Sequence, residues 1–259
     1  TGTTGTTEAV TLLGAGSLAL SDVDTLVGTT GIDTATLLAA GTLNVSKVDS
    51  VVGSTGTDVV NMLAGGTLTV SAVERVVGSA GAADVVVVLG GSSIEVSAVE
   101  SVVGGGGSDA VTMLAAGALK VSDVASVLGS TLVEVVTLAS GSTLAVSDIN
   151  TVLGQTAVTD TVTMLAAGSI ATSAVDTVVG TTGTADSLTL LAAGTVTVSG
   201  IESVTGSAAL TETVRLGAAG ESLSVRAVDT VIGTTNTTEA VTLLAAGSIA
   251  VSAIDTATG

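Results

Sequence analysis

The chain has 259 residues and a net charge of −18, from 23 acidic and five basic side chains, and it contains no histidine, cysteine, proline or aromatic residue. Without cysteine it forms no disulfide and no thiolate metal site, and without histidine or cysteine it lacks the usual nucleophile–base pairs of enzymes. A polyanion repels nucleic acid and anionic lipid, and no apolar run reaches the roughly 18 residues of a spanning helix, so we expect neither nucleic-acid binding nor membrane insertion.

A repeat organises the whole chain. Each unit begins with a glycine, and successive glycines lie 25 to 27 residues apart. Self-similarity at such a period is typical of solenoid proteins, so we predict a single repeat array over residues 1–259. The units start near Gly2, Gly28, Gly53, Gly78, Gly104, Gly129, Gly154, Gly180, Gly206 and Gly233.

Three segments of the first repeat alternate apolar and polar residues: Ala9–Leu13, Ser17–Ser21 and Val23–Val27. Alternation with period two predicts β-strands, and the small residues between the segments predict turns. No segment is long enough for the helical crossover of a βαβ unit. The sequence therefore predicts an all-β fold, a parallel β-solenoid of about ten coils of 25–27 residues with three short strands per coil.

Two positions of the repeat are apolar in every unit and are predicted to point inward. Stacked at the strand spacing of about 4.8 Å, they would form columns that fill a narrow interior. The second-strand column is Leu18, Leu43, Leu68, Ile94, Leu119, Leu144, Ile170, Val196, Leu223 and Ile249. The column before the third strand is Val23, Val48, Val73, Val99, Val124, Ile149, Val175, Ile201, Val228 and Ile254. One residue of the second strand, Thr172, stands where other units have an apolar side chain.

Two further positions are acidic, and the first ends the glycine turn of every unit. These turn acids are Asp33, Asp58, Asp84, Asp109, Asp160 and Asp186, with Glu8, Glu134, Glu212 and Glu239 as glutamate versions. Carboxylate and carbonyl oxygens are the ligands that Ca²⁺ prefers, so a calcium ladder is one interpretation. The other interpretation is structural, since an acid at the end of a turn can accept backbone N–H bonds.

The second acidic position lies at the third strand. These third-strand acids are Asp24, Asp49, Glu74, Glu100, Asp176, Glu202, Asp229 and Asp255, with Ala125 and Asn150 as the exceptions. Like charges stacked about 4.8 Å apart would repel by roughly 1 kcal/mol per pair in water, which calls for a compensating role. Cation binding is one such role. The alternative is that acidic faces keep the solenoids soluble and limit their lateral contact.

The glycine turn resembles the loop of RTX (hemolysin-type) calcium-binding repeats. Residues Gly104 to Thr112 match every defined position of the G-G-x-G-x-D-x-U-x pattern, and the turns that end at Asp33 and Asp58 keep its G-x-x-G-x-D spacing. In that family calcium binds between successive loops, so the resemblance implies Ca²⁺ at the turn acids. Export by type I secretion is also implied, and with it a secreted or cell-surface bacterial protein. More generally, the chain is similar to the β-strand-repeat proteins of bacterial surfaces.

Hydroxyl side chains recur at outward positions of the first and second strands, as at Thr11, Thr36 and Thr42. Regular threonine arrays on a flat solenoid face resemble those of ice-binding β-solenoids. Hydroxyl groups are also simply favourable on exposed β surfaces, and in the second strand T-x-T pairs occur only at Thr67/Thr69 and Thr195/Thr197. Ice binding is therefore a further alternative.

Together these features predict a non-enzymatic structural protein of a bacterial extracellular or cell-surface assembly, such as a fibre, surface layer or matrix. No unit carries an insertion that would mark a single active site. Both termini fall at the same point of the repeat, so we expect coils to stack end to end, within a longer chain or between copies. The partners are then the chain itself and divalent cations. The alternative functions are a calcium-binding adhesin stalk or spacer and an ice-binding solenoid.

Overall fold

The fold class is the predicted one, an all-β parallel solenoid. The structure is a computed structural model that describes residues 1–3, 5–183, 185–235, 237–245 and 247–259. In this part of the chain we find no helix with the length and apolar character that crossing a membrane requires.

Each repeat contributes three strands, and in the first repeat these are Ala9–Thr11 (β1), Gly16–Leu20 (β2) and Thr25–Val27 (β3). The first strands of the later repeats are Asp33–Leu37 (β4), Asp58–Met62 (β7), Asp84–Val88 (β10), Ala110–Met113 (β13), Glu134–Leu138 (β16), Thr161–Met164 (β19), Ser187–Leu190 (β22), Glu212–Leu216 (β25) and Ala240–Leu243 (β28). The second strands are Gly41–Ser46 (β5), Gly66–Ser71 (β8), Ser93–Ser97 (β11), Gly117–Ser122 (β14), Thr143–Ser147 (β17), Ser169–Ser173 (β20), Gly194–Ser199 (β23), Ser222–Arg226 (β26) and Ala250–Ser252 (β29). The third strands are Ser50–Val52 (β6), Arg75–Val77 (β9), Ser101–Val103 (β12), Ser126–Leu128 (β15), Thr151–Leu153 (β18), Thr177–Val179 (β21), Ser203–Thr205 (β24), Thr230–Ile232 (β27) and Thr256–Thr258 (β30).

The chain forms two compact units, Thr1–Leu132 and Val133–Gly259. In the first unit the odd-numbered strands β1 to β15 form one parallel sheet, and the even-numbered strands β2 to β14 form the other. The second unit repeats this arrangement with β17 to β29 in one sheet and β16 to β30 in the other. Consecutive strands thus lie in opposite sheets, and each turn carries the chain from one sheet to the other. We call the two lines of turns in each unit its edges.

The predicted coil is wrong in its strand number. The prediction was ten coils of three strands, whereas each coil has two strands and the chain makes about 14 turns. The strand register shows that a coil is shorter than a repeat. Thr25 lies opposite Asn44, and Asn44 lies opposite Asn61, so paired residues are separated in sequence by well under one repeat. One repeat is therefore a coil and a half, and equivalent residues of successive repeats lie in opposite sheets.

The predicted inward residues are buried except for Leu18, Ile249 and Ile254 of the first and last repeats, which are half-buried, but they do not stack as predicted. Leu18, Leu43 and Leu68 lie on β2, β5 and β8, which alternate between the two sheets. The residues that stack on one another come instead from second, first and third strands in turn. Leu43 of β5 lies opposite Val60 of β7, and Val60 lies opposite Val76 of β9. All three of these side chains are buried. Since every strand type presents Val, Leu, Ile or Met inward, the interior keeps one width and leaves no irregular space for an aromatic ring.

The glycine that opens each repeat is required by a contact between coils. The Gly28 N–H donates to the Ser46 carbonyl at 2.8 Å, and a Cβ on Gly28 would overlap the carbonyl oxygen of Lys47. The same overlap with the residue at the corresponding corner occurs at Gly2, Gly28, Gly53, Gly78, Gly104, Gly154, Gly180, Gly206 and Gly233. No other residue type leaves room for that carbonyl group.

The corner between the second and third strands is a feature that the sequence prediction missed. Its central residue has a left-handed backbone in each repeat, with φ between 52° and 61°. A side chain in this conformation costs about 1–2 kcal/mol, so the packing of the corner imposes it. These corner residues are Asp22, Lys47, Ala72, Ala98, Asp123, Asp148, Ala174, Gly200, Ala227 and Ala253. Alanine, the commonest of them, gives no sequence signal for positive φ.

We expect Gly53→Ala to lower the free energy of unfolding by about 1–3 kcal/mol, because the new methyl group would meet the Ala72 carbonyl in a packed interface. Gly41→Ala is the matched control, since a Cβ there meets nothing within 4 Å, and its effect should stay within about 0.5 kcal/mol. Urea unfolding followed by far-UV circular dichroism measures both. Equal losses in the two variants would contradict the glycine–carbonyl contact.

Candidate functional site

The turn acids lie at the points where the chain enters a first strand, and all except Glu8 are at most 1% exposed. Because first strands alternate between sheets, successive turn acids lie on opposite edges. Asp33 and Asp84 share an edge but are three strands apart, a distance of about 14 Å. The structure therefore does not bring the turn acids together into the predicted ladder. Within the described ranges, no group of three or more acidic side chains is placed to hold a metal ion.

Each carboxylate is instead surrounded by N–H donors, as Asp33 illustrates. Its Oδ2 accepts from the backbone N–H of Thr29 at 2.5 Å and from the Thr29 hydroxyl at 2.8 Å, both in its own turn. Its Oδ1 accepts from the N–H of Gly16 in the preceding coil at 3.0 Å. The turn acid thus closes its own turn and binds it to the coil before.

The third-strand acid binds the same turn to the next coil. The Asp33 N–H donates to Oδ2 of Asp49 at 2.8 Å, and the Asp49 N–H donates to the Asp33 carbonyl at 3.0 Å. The strands β2, β4 and β6 are adjacent in one sheet. The first begins at Gly16, the second begins at Asp33, and the third follows directly after Asp49. This pair of acids therefore links three consecutive coils, and we call such an arrangement an acid staple.

The acid staple recurs in both units. In the first unit Asp58 accepts from Ser54 and Gly41 and donates its N–H to Glu74, at distances of 2.5 to 3.0 Å. In the second unit Asp186 accepts from Thr181 and Gly168 and donates to Glu202, at 2.6 to 2.9 Å. The geometry thus matches the structural interpretation of the turn acids, in which they accept backbone N–H bonds.

The two exceptions among the third-strand acids test this role. Asn150 replaces an acid but keeps an acceptor, and its Oδ1 takes the Glu134 N–H at 2.8 Å. Ala125 has no side-chain acceptor to offer to the N–H of Asp109, although its own N–H still donates to the Asp109 carbonyl at 3.0 Å. Asn150 thus shows that a neutral acceptor can fill this position, and Ala125 shows that the backbone bond forms without a side-chain acceptor.

At Asp33 and Glu239 the surrounding donors favour the ionised carboxylate. The Thr29 backbone N–H holds the pKa of Asp33 below its ordinary value, against the opposing effect of burial, and the Thr29 hydroxyl and Gly16 N–H add to the lowering. Hydrogen bonds from the hydroxyls of Thr234 and Thr237 likewise lower the pKa of Glu239, again against burial. Buried charges are thus stabilised here by N–H and O–H dipoles rather than by basic side chains.

Several turns leave a carboxylate oxygen without a partner among the described residues, and Asp84 and Glu212 illustrate them. At Asp84 the preceding coil's Gly66 N–H donates to the Ala83 carbonyl at 3.0 Å, and the buried Oδ1 of Asp84 has no partner among the described residues. At Glu212 the Gly194 N–H donates to the Thr211 carbonyl at 3.1 Å, and the buried Oε2 is likewise free of protein donors. These oxygens retain the capacity to accept a further bond.

The sheet faces carry little charge, unlike the acidic faces expected from the sequence. Apart from the turn acids that open some first strands, the charged residues of the strands are Arg75, Glu95, Lys120, Arg215 and Arg226. Exposed acids lie at the turns instead. On the faces, the predicted hydroxyl ladders divide between the two sheets. One unbroken hydroxyl column in the second unit consists of Ser169, Ser187, Ser203, Ser224, Thr242 and Thr258.

Comparison of the chain with family models, with curated proteins and with solved structures finds no match.

We expect Ala125→Asp to raise the free energy of unfolding by about 1 kcal/mol, because it supplies the missing acceptor for the Asp109 N–H. Ala125→Asn should have a similar effect, as Asn150 already fills this role in its own repeat. Ala125→Val, which adds bulk without an acceptor, is the control. The acid staple would be contradicted if valine stabilised the protein as much as aspartate, as measured by urea unfolding.

Stability should fall at low pH in a defined direction. Since the folded-state pKa values of Asp33 and Glu239 are lowered, their contribution is complete above the ordinary value of about 4 and is lost as the pH falls through the folded values. The free energy of unfolding should thus be level from neutral pH to about 5 and decline below about 4. Asp33→Asn should lower stability at pH 7 and weaken this decline. Asp22→Asn, at an exposed corner, controls for net charge.

Proposed function

We propose that the protein is a non-enzymatic structural component of a bacterial extracellular or cell-surface assembly, in which solenoid coils stack end to end within a longer chain or between chains. The observation that carries this proposal is the uniform interface between coils. Parallel pairing, the glycine–carbonyl contact and the acid staple recur from repeat to repeat in both units. Any further coil of the same sequence can add to an existing coil through the same groups.

The last coil of the second unit illustrates such a surface. Val231 of β27 is fully buried, whereas Val251 of β29, the next residue in its column, is 43% exposed. An additional coil would cover Val251 and pair with the backbone of β29, since an unpaired strand edge offers N–H and C=O groups in register. Stacking therefore buries apolar surface and satisfies main-chain groups at once.

The charge distribution favours stacking along the solenoid over contact between its edges. Exposed acids such as Glu74, Glu100 and Glu202 lie along the edges, and the chain as a whole carries a net charge of −18. Contact between two edges is opposed by repulsion, which weakens as salt is added. Main-chain pairing between coils needs no charged group. Acidic edges and open strand edges together support a linear assembly.

We expect the 259-residue chain to form concentration-dependent species in sedimentation velocity, and fibres or rods by electron microscopy. Val251→Lys should suppress them, because it places a charge on the apolar end of the column. Ser252→Lys is the matched control, since its side chain points to the opposite face of β29, and it should assemble as the wild type does. A stable monomer at high protein concentration, with and without Ca²⁺, would rule out stacking between chains.

A calcium-binding stalk or spacer is the second candidate, and the partnerless Oδ1 of Asp84 is the observation that favours it. A carboxylate oxygen without a protein donor is a ligand for a hard cation. In this case calorimetric titration with Ca²⁺ should give heat, and EDTA should lower the melting temperature. Asp84→Asn should reduce both effects, whereas Asp33→Asn, whose oxygens already bind N–H donors, should not. Absence of heat and of any melting shift would exclude this candidate.

A further inference from the structure

Grooves open along the edges where a short corner lies between two longer turns. The corner between a second and a third strand is tight, and the turns of the coils on either side of it are longer. One such groove, of about 330 Å³, lies in the second unit. Its walls come from the turn at Gln155–Val158, the corner at Thr172–Asp176 and the turn at Leu190–Val196. These turns follow β18, β20 and β22, which are adjacent in one sheet.

The floor of this groove differs from that of the corresponding grooves. The second-strand residue at the floor is Leu20, Val45 or Val225 in three other grooves, and it is Thr172 here. Thr172 is only 2% exposed and occupies a core position, opposite Val152 and Leu190 in its sheet. A hydroxyl group in such a place lowers stability unless it is hydrogen-bonded.

The Thr172 hydroxyl has no hydrogen-bond partner among the residues that the structure describes. The backbone carbonyl of Thr172 accepts the Leu191 N–H at 2.8 Å, but its side chain makes no such bond. Its oxygen is not fully enclosed by protein, so it is a hydroxyl group without a protein partner beside a cavity large enough for a small ligand. A ligand that entered the groove could supply the missing partner.

A carboxylate stands at the rim of the same groove. Oδ2 of Asp176 accepts the Asp160 N–H at 2.9 Å as part of an acid staple, and the exposed Asp176 side chain has its other oxygen for further bonding. The remaining wall is mixed: Val158, Val175 and Leu190 are apolar, and Gln155, Thr156, Ser173 and Thr195 are polar. The groove thus combines one negative charge, one hydroxyl group without a protein partner and a patch of apolar side chains.

We propose that this groove binds an alkylammonium group. The ammonium group pairs with the Asp176 carboxylate and hydrogen-bonds to Thr172, and the alkyl chain lies against the valine and leucine side chains. A metal ion fits less well, because Asp176 is the single charged ligand in the lining and the valine and leucine side chains supply no oxygen. The alkylammonium group belongs either to a free small amine or to a lysine side chain of another protein. This inference does not rest on end-to-end assembly.

Butylammonium is the probe, added to the full chain labelled at valine and leucine methyl groups and observed by NMR. The methyl signals of Val158, Val175 and Leu190 should shift in a saturable manner. Butyrate and 1-butanol, which keep the alkyl chain but lack the positive charge, should shift them much less. A blocked lysine peptide is the second arm. Competition with butylammonium would identify a protein side chain as an acceptable source, and binding of the free amine alone would restrict the groove to small amines.

Three variants decide the assignment. Asp176→Asn should weaken butylammonium binding by about tenfold or more and still fold, since Asn150 accepts the staple N–H at the equivalent position. Thr172→Val should weaken it by about threefold to tenfold and raise the melting temperature, because it removes from a core position a hydroxyl group that no protein group bonds. Asp229→Asn, in the groove that has Val225 at its floor, is the matched control and should leave the binding unchanged.

The proposal would be overturned by the absence of methyl shifts with butylammonium, or by unchanged binding in Asp176→Asn. It would also be overturned if Thr172→Val lowered the melting temperature, because the hydroxyl group would then be a satisfied structural element. Wild-type binding that is lost in Asp176→Asn and weakened in a more stable Thr172→Val variant supports it.

Discussion

The fold depends on a buried carboxylate that binds three coils together. In each acid staple a turn acid such as Asp33 accepts N–H groups from its own turn and from the coil before, and it donates its own N–H to an acid in the coil after. An isolated buried charge would be strongly unfavourable. Here the surrounding donors lower the pKa of Asp33, so the ionised form holds in place the turns that would otherwise leave backbone N–H groups without partners.

The repeat of a coil and a half explains how a chain with a net charge of −18 can carry an acid in every turn. If one repeat made one coil, equivalent acids would stack about 4.8 Å apart and repel. Because each repeat ends half a coil further on, Asp33 and Asp58 lie on opposite edges, and the next turn acid on the edge of Asp33 is Asp84, three strands away. The faces between the edges carry few charges. Linear stacking is consistent with this distribution, since charge is confined to the edges and the backbone pairs between coils.

Much of this architecture could be predicted from the sequence. Period-two alternation located three strands per repeat, and their inward residues, such as Leu43, are buried. The turn acids and third-strand acids were also found, because they recur at fixed positions. Their partners were not found, since the bond between Asp33 and Asp49 spans a register that sequence spacing does not reveal. The left-handed corners were missed for a related reason, because alanine at positive φ, as in Ala72, is imposed by contacts with the next coil.

What the sequence by itself determined is the repeat, the strand positions, the inward and outward faces, and the acid in every turn, because each follows from local alternation and spacing. What only the tertiary structure decided is how many strands close a coil. Three strands per repeat can close either as one coil of three strands or as one and a half coils of two strands. Both arrangements have the same alternation of apolar and polar residues and the same repeat length, so the sequence pattern does not distinguish between them. The choice is made at the turns, where every corner carries the chain to the opposite sheet. That choice alone places the acids on alternate edges and directs their oxygens towards N–H donors. It also brings Thr172, a single departure in one strand, to the floor of a groove.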